Sequence, residues 1–168
     1  MTKGFDRRLF LGLSASGGVV GAIALAGGGT TGTAAASPFE VRRSPADWRK
    51  RLGAARYRIL REEGTEVPFT SPLNKEKRRG IFACAGCALP LFSSATKYDS
   101  GTGWPSFYQA LPNAIATRRD SSLGMVRIEE HCRRCGGHLG HIFDDGPRPT
   151  GKRHCINGLS LTFRPAGA

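Results

Sequence analysis

The apolar and polar positions fall into three regimes along the chain. An apolar run extends from Leu9 to Ala26 behind the basic residues Lys3, Arg7 and Arg8. Gly12, Gly17, Gly18 and Gly21, with Ser14 and Ser16, dilute its hydrophobicity and its helix propensity. Next, Trp48, Leu52, Ala55 and Ile59 recur at helical spacing and predict an apolar stripe on a helix of about four turns. Ser44 as N-cap, Pro45 at the first helical position and Asp47 in the first turn mark its start, and Gly64 marks its end. Arg49, Lys50, Arg56 and Glu63 read as the solvated face.

From residue 80 the period changes from helical to alternating. Gly80-Ile81-Phe82-Ala83, Leu89-Pro90-Leu91-Phe92 and Met125-Val126-Arg127-Ile128 read as short strands. Leu159, Leu161 and Phe163 alternate with Ser160, Thr162 and Arg164, the pattern of a half-buried strand. Turn clusters such as Asp144-Asp145-Gly146-Pro147 separate these pieces. The class is α+β, mainly β, with a small antiparallel sheet and an N-terminal helix.

At 168 residues the chain holds about one domain. The basic start, the diluted apolar run and the small-residue tail Ala34-Ala35-Ala36 form the pattern of a cleaved export signal over residues 1–36. Arg7-Arg8-Leu9-Phe10-Leu11 resembles a twin-arginine signal, with Asp6 where Ser or Thr is more usual, and predicts a periplasmic location. The alternative is an uncleaved membrane anchor. The whole chain carries +12; the signal accounts for two of those charges, leaving +10 on residues 37–168. A positive balance admits a nucleic-acid-binding module. However, the basic residues are scattered in short runs such as Arg49-Lys50-Arg51 and Lys77-Arg78-Arg79. Export also directs the chain away from nucleic acid, and no stable membrane association is expected once the signal is removed.

The five cysteines change the picture more than the charge does. Cys84-Ala85-Gly86-Cys87 and Cys132-Arg133-Arg134-Cys135 are two C-x2-C knuckles, able to supply four thiolates to a tetrahedral Zn2+. Such a closed site is structural and would lower the charge of residues 37–168 to about +8. Redox dithiols, or disulfides formed after export, are the alternative for the same residues. Cys155 is left unpaired. By itself it reads as a small buried hydrophobe. Yet His131, His138, His141 and His154 all lie within the stretch ending beside it. Arg153 or an imidazolium there would lower its thiol pKa. His138-Leu139-Gly140-His141 reads as part of a loop-lined cleft, and the glycines around Trp104-Pro105 as an exposed aromatic platform.

Taken in order, Cys84–Cys87, Gly101-Thr102-Gly103-Trp104-Pro105-Ser106-Phe107, Cys132–Pro147 and Arg153–Asn157 resemble the methionine-R-sulfoxide reductases of the MsrB type. The resemblance covers Trp48 to Pro165. It implies two small antiparallel sheets stapled by a zinc ion on Cys84, Cys87, Cys132 and Cys135. It also implies that Cys155 attacks the sulfoxide sulfur, that His138 and His141 polarise or protonate its oxygen, and that Asn157 hydrogen-bonds beside the nucleophile. Trp104 would form the wall for the substrate methyl group. The implied substrate is methionine-R-sulfoxide in oxidised proteins. Two positions depart from the family pattern. Thr102 stands where many members carry a resolving cysteine, which predicts regeneration by an external thiol or a thioredoxin-like donor. His154 stands where Tyr commonly precedes the nucleophile.

The non-catalytic alternative is a zinc-stabilised interaction module, and it requires an inert, buried Cys155.

Overall fold

The computed structural model describes residues 39–167, so the export signal assigned to residues 1–36 lies outside the described residues. Helix α1, Pro45–Glu62, begins as its sequence predicts, with the Ser44 hydroxyl accepting from the Asp47 amide at 3.1 Å. That bond satisfies one of the free amides of the first turn. At the other end Glu63 takes the left-handed conformation (φ 55°), and the Gly64 amide returns to the Arg58 carbonyl at 3.0 Å. The buried stripe departs from the expected register. Gly53 adopts φ 69° and ψ 169°, a backbone state essentially reserved for glycine. This break rotates the second half of the helix, so Tyr57, Ile59 and Leu60 join Trp48 and Leu52 inside while Ala55 is exposed.

Nine strands follow among the described residues: β1 (Gly80–Cys84), β2 (Pro90–Ser93), β3 (Lys97–Tyr98), β4 (Ser106–Phe107), β5 (Ile115–Asp120), β6 (Arg127–Cys132), β7 (His138–Phe143), β8 (Arg153–Ile156) and β9 (Leu161–Pro165). They build two antiparallel sheets, ordered β2-β1-β9 and β3-β4-β8-β7-β6-β5. The strand expected from Met125 starts at Arg127, because a 3-10 turn at Ser122–Gly124 precedes it and leaves Met125 and Val126 exposed. A second 3-10 turn, Gly158–Ser160, takes Leu159 out of the last strand. The stretch from His138 to His141, expected as a cleft loop, is strand β7. Gly140 discourages a helix there but serves a close pairing of strands.

The two sheets meet at a phenylalanine cluster. Phe82 of β1, Phe92 of β2 and Phe107 of β4 are fully buried. The Phe92 and Phe107 rings stack at 4.4 Å, and Phe82 meets Phe107 edge-on at 5.0 Å. Each such ring contributes on the order of 2–3 kcal/mol by leaving water. A second tie is made by cysteines, since Cys84 ends β1 in one sheet and Cys132 ends β6 in the other.

Candidate active site and metal centre

The four paired cysteines converge on one point. Their Sγ atoms all lie within 4.8 Å of one another, and the shortest approaches run between the knuckles: Cys84–Cys135 at 3.7 Å and Cys87–Cys132 at 3.5 Å. A zinc–sulfur bond of about 2.3 Å at tetrahedral corners implies sulfur separations of about 3.8 Å. The cluster therefore fits Zn2+. No disulfide joins any of the five cysteines, and these sulfur contacts run between the knuckles, not within them as disulfides of each knuckle would require. Four sulfur ligands leave no open position, which makes the centre a staple between the sheets.

Cys155 is positioned by strand register. It faces His141 across β7 and β8 and Ser106 across β4 and β8. Its neighbour His154 points the other way, into the core, where its Nδ1 lies 2.8 Å from the Glu130 carboxylate and its ring packs 5.6 Å from Phe92. His154, the residue before Cys155, is thus accommodated by a buried acid. Residues three apart on a regular strand face opposite ways, yet His138 and His141 share a side. The register between β6 and β7 shifts after Glu130, so Glu129 opposes His141 while His131 opposes His138. Glu129 and His131 are two residues apart and share a face, so their partners do too. The imidazole centroids are 5.6 Å apart.

Gly140 makes this pairing possible, because a Cβ there would stand 1.9 Å from the Cys155 carbonyl oxygen.

Beside Cys155 opens a cavity of about 120 Å3, lined by Trp104, Arg127, Gly140, His141, Phe143 and Asn157 along with Thr65. That is room for a methylsulfinyl group. Of the residues expected at the site, Cys155, His141, Trp104 and Asn157 line this cavity. His138 does not; it is 4% exposed and lines a neighbouring cavity with Glu129 and His131. The Asn157 side chain is engaged at both ends, its Oδ1 accepting from the Glu66 amide at 2.8 Å and its Nδ2 donating to the Leu139 carbonyl at 3.0 Å. The Trp104 indole N–H donates to the Glu66 carbonyl at 2.9 Å, which fixes the ring.

Hydrogen-bond partners fix the imidazole tautomers. The buried Glu129 carboxylate meets His138 Nδ1 at 2.7 Å and His131 Nδ1 at 3.0 Å. Burial pushes the Glu129 pKa up, but the two imidazoles together outweigh it and hold the group at about 2. A carboxylate can only accept, so both rings carry a proton on Nδ1. In the same way Asp120 accepts from His141 Nε2 at 2.8 Å and from Arg127 Nη2 at 2.7 Å. The Ser122 hydroxyl and amide, and then His141, hold Asp120 below the usual carboxylate range. His141 is left with Nδ1 as its free nitrogen. Burial lowers the His141 pKa against the opposing hydrogen bond to Asp120, so this imidazole is neutral at pH 7.

The Cys155 thiol does not follow the sequence expectation. Burial raises its pKa, and Arg153 and the Thr102 hydroxyl, 4.0 Å from Sγ, pull it down without reversing the direction. Arg153 is already paired at both Nε and Nη2 with Asp145, at 2.8 and 2.9 Å. Partly exposed on a cavity wall, Cys155 rests as a thiol beside a neutral imidazole.

The profile of the SelR domain matches residues 52–165, most of the described chain. The chain belongs to the SelR family. A relative from Leptospira interrogans is 54% identical over 127 residues, covering 75% of this chain and 97% of its own length. One from Agrobacterium fabrum is 54% identical over 127 residues, covering 75% and 94%. One from the archaeon Methanosarcina barkeri is 50% identical over 125 residues, covering 74% and 88%. All three are named peptide methionine sulfoxide reductase MsrB. In this SelR domain several residues that build the site escape sequence reasoning. Asp120 and Glu129 bind the histidines, Arg127 lines the cavity, and Glu66 joins Trp104, Asn157 and the Gly158 amide. Nothing local marks Glu66, whose partners lie far along the chain.

Proposed function

We propose that this protein reduces methionine sulfoxide of the R configuration to methionine, with Cys155 as the nucleophile. The observation that carries the reading is one small cavity shared by Cys155, His141 and Trp104. The names of the SelR relatives supply the substrate class. Cys155 starts as a thiol, and its Sγ attacks the sulfoxide sulfur while its proton passes to His141 Nδ1. His141 returns that proton to the sulfoxide oxygen. The sulfur–oxygen bond breaks and the hydroxyl ends on Sγ. Thiol and sulfoxide become sulfenic acid and thioether, with every atom and electron retained. The methyl group packs on the Trp104 face and the oxygen points to His141. The mirror epimer would turn its oxygen to the indole and lose a polar partner, a penalty of roughly 1–3 kcal/mol.

His138 backs the His141 ring from behind, and Asn157 locks the turn after Cys155 to the loop carrying Glu66. The zinc ion contributes stability and no chemistry. With Thr102 beside Sγ and the other four cysteines in the metal centre, the sulfenic acid is reduced by an external thiol, such as a thioredoxin-like protein. Two thiols restore Cys155 and yield a disulfide and water. The arginine pair and apolar run before residue 27 support export through the twin-arginine route to the periplasm, without stable membrane association after cleavage. N-terminal sequencing of protein from a periplasmic fraction checks this. No nucleic-acid partner enters the account.

The activity is tested with residues 37–168 and a Cys155→Ser variant, each given racemic methionine sulfoxide and a reducing dithiol. The parent should consume only the R epimer and the variant neither. Equal consumption by both proteins would remove Cys155 from the reaction.

A further inference from the structure

The turn after helix α1 presents apolar side chains to solvent. Val67 is 66% exposed and Phe69 73% exposed, in contrast to the buried rings of Phe82, Phe92 and Phe107. Phe69 is also held at φ 66°, a left-handed state that a bulky side chain adopts only when its surroundings impose it. The restraints are backbone and carboxamide hydrogen bonds. The Phe69 amide donates to the Gly103 carbonyl at 2.7 Å, and Asn74 Nδ2 donates to the same oxygen at 2.8 Å. The Thr70 hydroxyl donates to the Val67 carbonyl at 2.7 Å and closes the turn. An unfavourable backbone state is therefore maintained to display a phenyl ring in water. Core packing does not require it.

The display adjoins the catalytic cavity. Trp104 borders the cavity of Cys155 and also a groove of about 390 Å3 whose apolar edge is Phe69 and whose far side carries Asn74, Lys75, Lys97 and Asp99. Trp104 is the residue common to both, and its indole N–H bond to the Glu66 carbonyl anchors it to the segment that leads into the Val67–Phe69 turn. The inner cavity takes the methylsulfinyl end of one side chain, which leaves the substrate backbone at the mouth. An extended chain advances about 3.4 Å per residue. A residue one or two positions from the oxidised methionine is then placed across Trp104, the residue that borders both spaces. Free methionine sulfoxide has nothing to place there.

We propose that the Phe69 shelf and the groove beyond Trp104 form a subsite for an apolar side chain flanking methionine sulfoxide in an extended polypeptide. The proposal rests on the reductase reading above and narrows its substrate. An apolar residue beside an oxidised methionine is accessible in unfolded or loosely structured protein and is buried in a folded one. The subsite thus discriminates among oxidised segments by the residue that flanks the sulfoxide.

Three substrates decide the matter: N-acetyl-methionine-R-sulfoxide methylamide, and peptides carrying either Leu or Ser two residues to each side of the sulfoxide. Each is assayed with the wild type and with Phe69→Gly. Glycine accepts φ 66° without strain, so this variant removes the ring and keeps the turn. For the wild type, kcat/KM should be about tenfold higher on the Leu peptide than on the Ser peptide. Phe69→Gly should erase that preference and leave the minimal substrate unchanged. Equal values for the two peptides in the wild type overturn the subsite, as does a preference that survives Phe69→Gly. A parallel loss on the minimal substrate also overturns it, since Phe69 would then support the catalytic cavity. Failure of the wild type to turn over the minimal substrate overturns the reductase reading itself.

Discussion

Gly140→Ala places a single methyl group where the account predicts the sheet is least able to receive it. The added Cβ would lie 1.9 Å from the Cys155 carbonyl oxygen, 3.0 Å from its carbonyl carbon and 3.2 Å from Ile156 Cα. All three are backbone atoms, so no rotamer change relieves the overlap. Restoring ordinary contact requires β7 and β8 to separate by about 1.5 Å. That lengthens the ladder around the His141–Cys155 pair and weakens about two hydrogen bonds, each worth about 1 kcal/mol. Overpacking adds about 1–3 kcal/mol, for a total of about 3–5 kcal/mol. A domain with 5–15 kcal/mol of stability survives this but melts about 10–20 °C lower. Catalysis should suffer more, because a displacement of about 1 Å between reacting groups costs about a hundredfold. Thermal denaturation and kcat/KM on methionine-R-sulfoxide are measured together. A Gly140→Ala protein with the parent melting temperature and activity would refute the claim that strand proximity places the nucleophile.

Three further predictions follow from the geometry and the charges. Purified protein should contain one zinc per chain by elemental analysis, and chelation should abolish the cooperative thermal transition, since metal binding is folding free energy in such sites; a metal-free chain melting unchanged would contradict the staple. Burial raises the Cys155 pKa, so its alkylation by iodoacetamide should still accelerate between pH 8 and 9. A rate already flat at pH 7 would mean that Arg153 dominates instead. Asp120 raises the His141 pKa against burial, so Asp120→Asn should move the acid limb of the kcat/KM profile to lower pH and reduce kcat about tenfold; an unmoved limb would separate His141 from the proton transfer.

Local pattern and long-range pairing account for what the sequence did and did not reveal. The start of α1 was legible because capping is local: Ser44 and Asp47 are three residues apart. Beyond Leu52 the expected stripe holds at Ile59 but fails at Ala55, and Tyr57 and Leu60 are added to it, since helical periodicity assumes an unbroken helix and Gly53 breaks this one. The C-x2-C knuckles were legible because each pair is a turn. That they tie two different sheets depends on pairings no spacing encodes. The spacing of His138 and His141 suggests a cleft loop, whereas they lie on a strand, and a shift of register between β6 and β7 decides which face they share. The partners that set their protonation, Asp120 and Glu129, come from neighbouring strands. Glu66 is the extreme case, a buried acid whose bonds to Asn157 and the Gly158 amide span most of the folded chain.

The central claim is that oxygen leaves the substrate by way of Cys155 and rests there. A single turnover of methionine-R-sulfoxide by fully reduced protein, with no external thiol present, tests it most directly. The account predicts one equivalent of methionine per chain and a sulfenic acid on Cys155, trapped by dimedone and located by peptide mass spectrometry. The other four cysteines should remain unmodified and metal-bound. A disulfide between Cys155 and any of those four, or methionine formed with Cys155 unmodified, would contradict it.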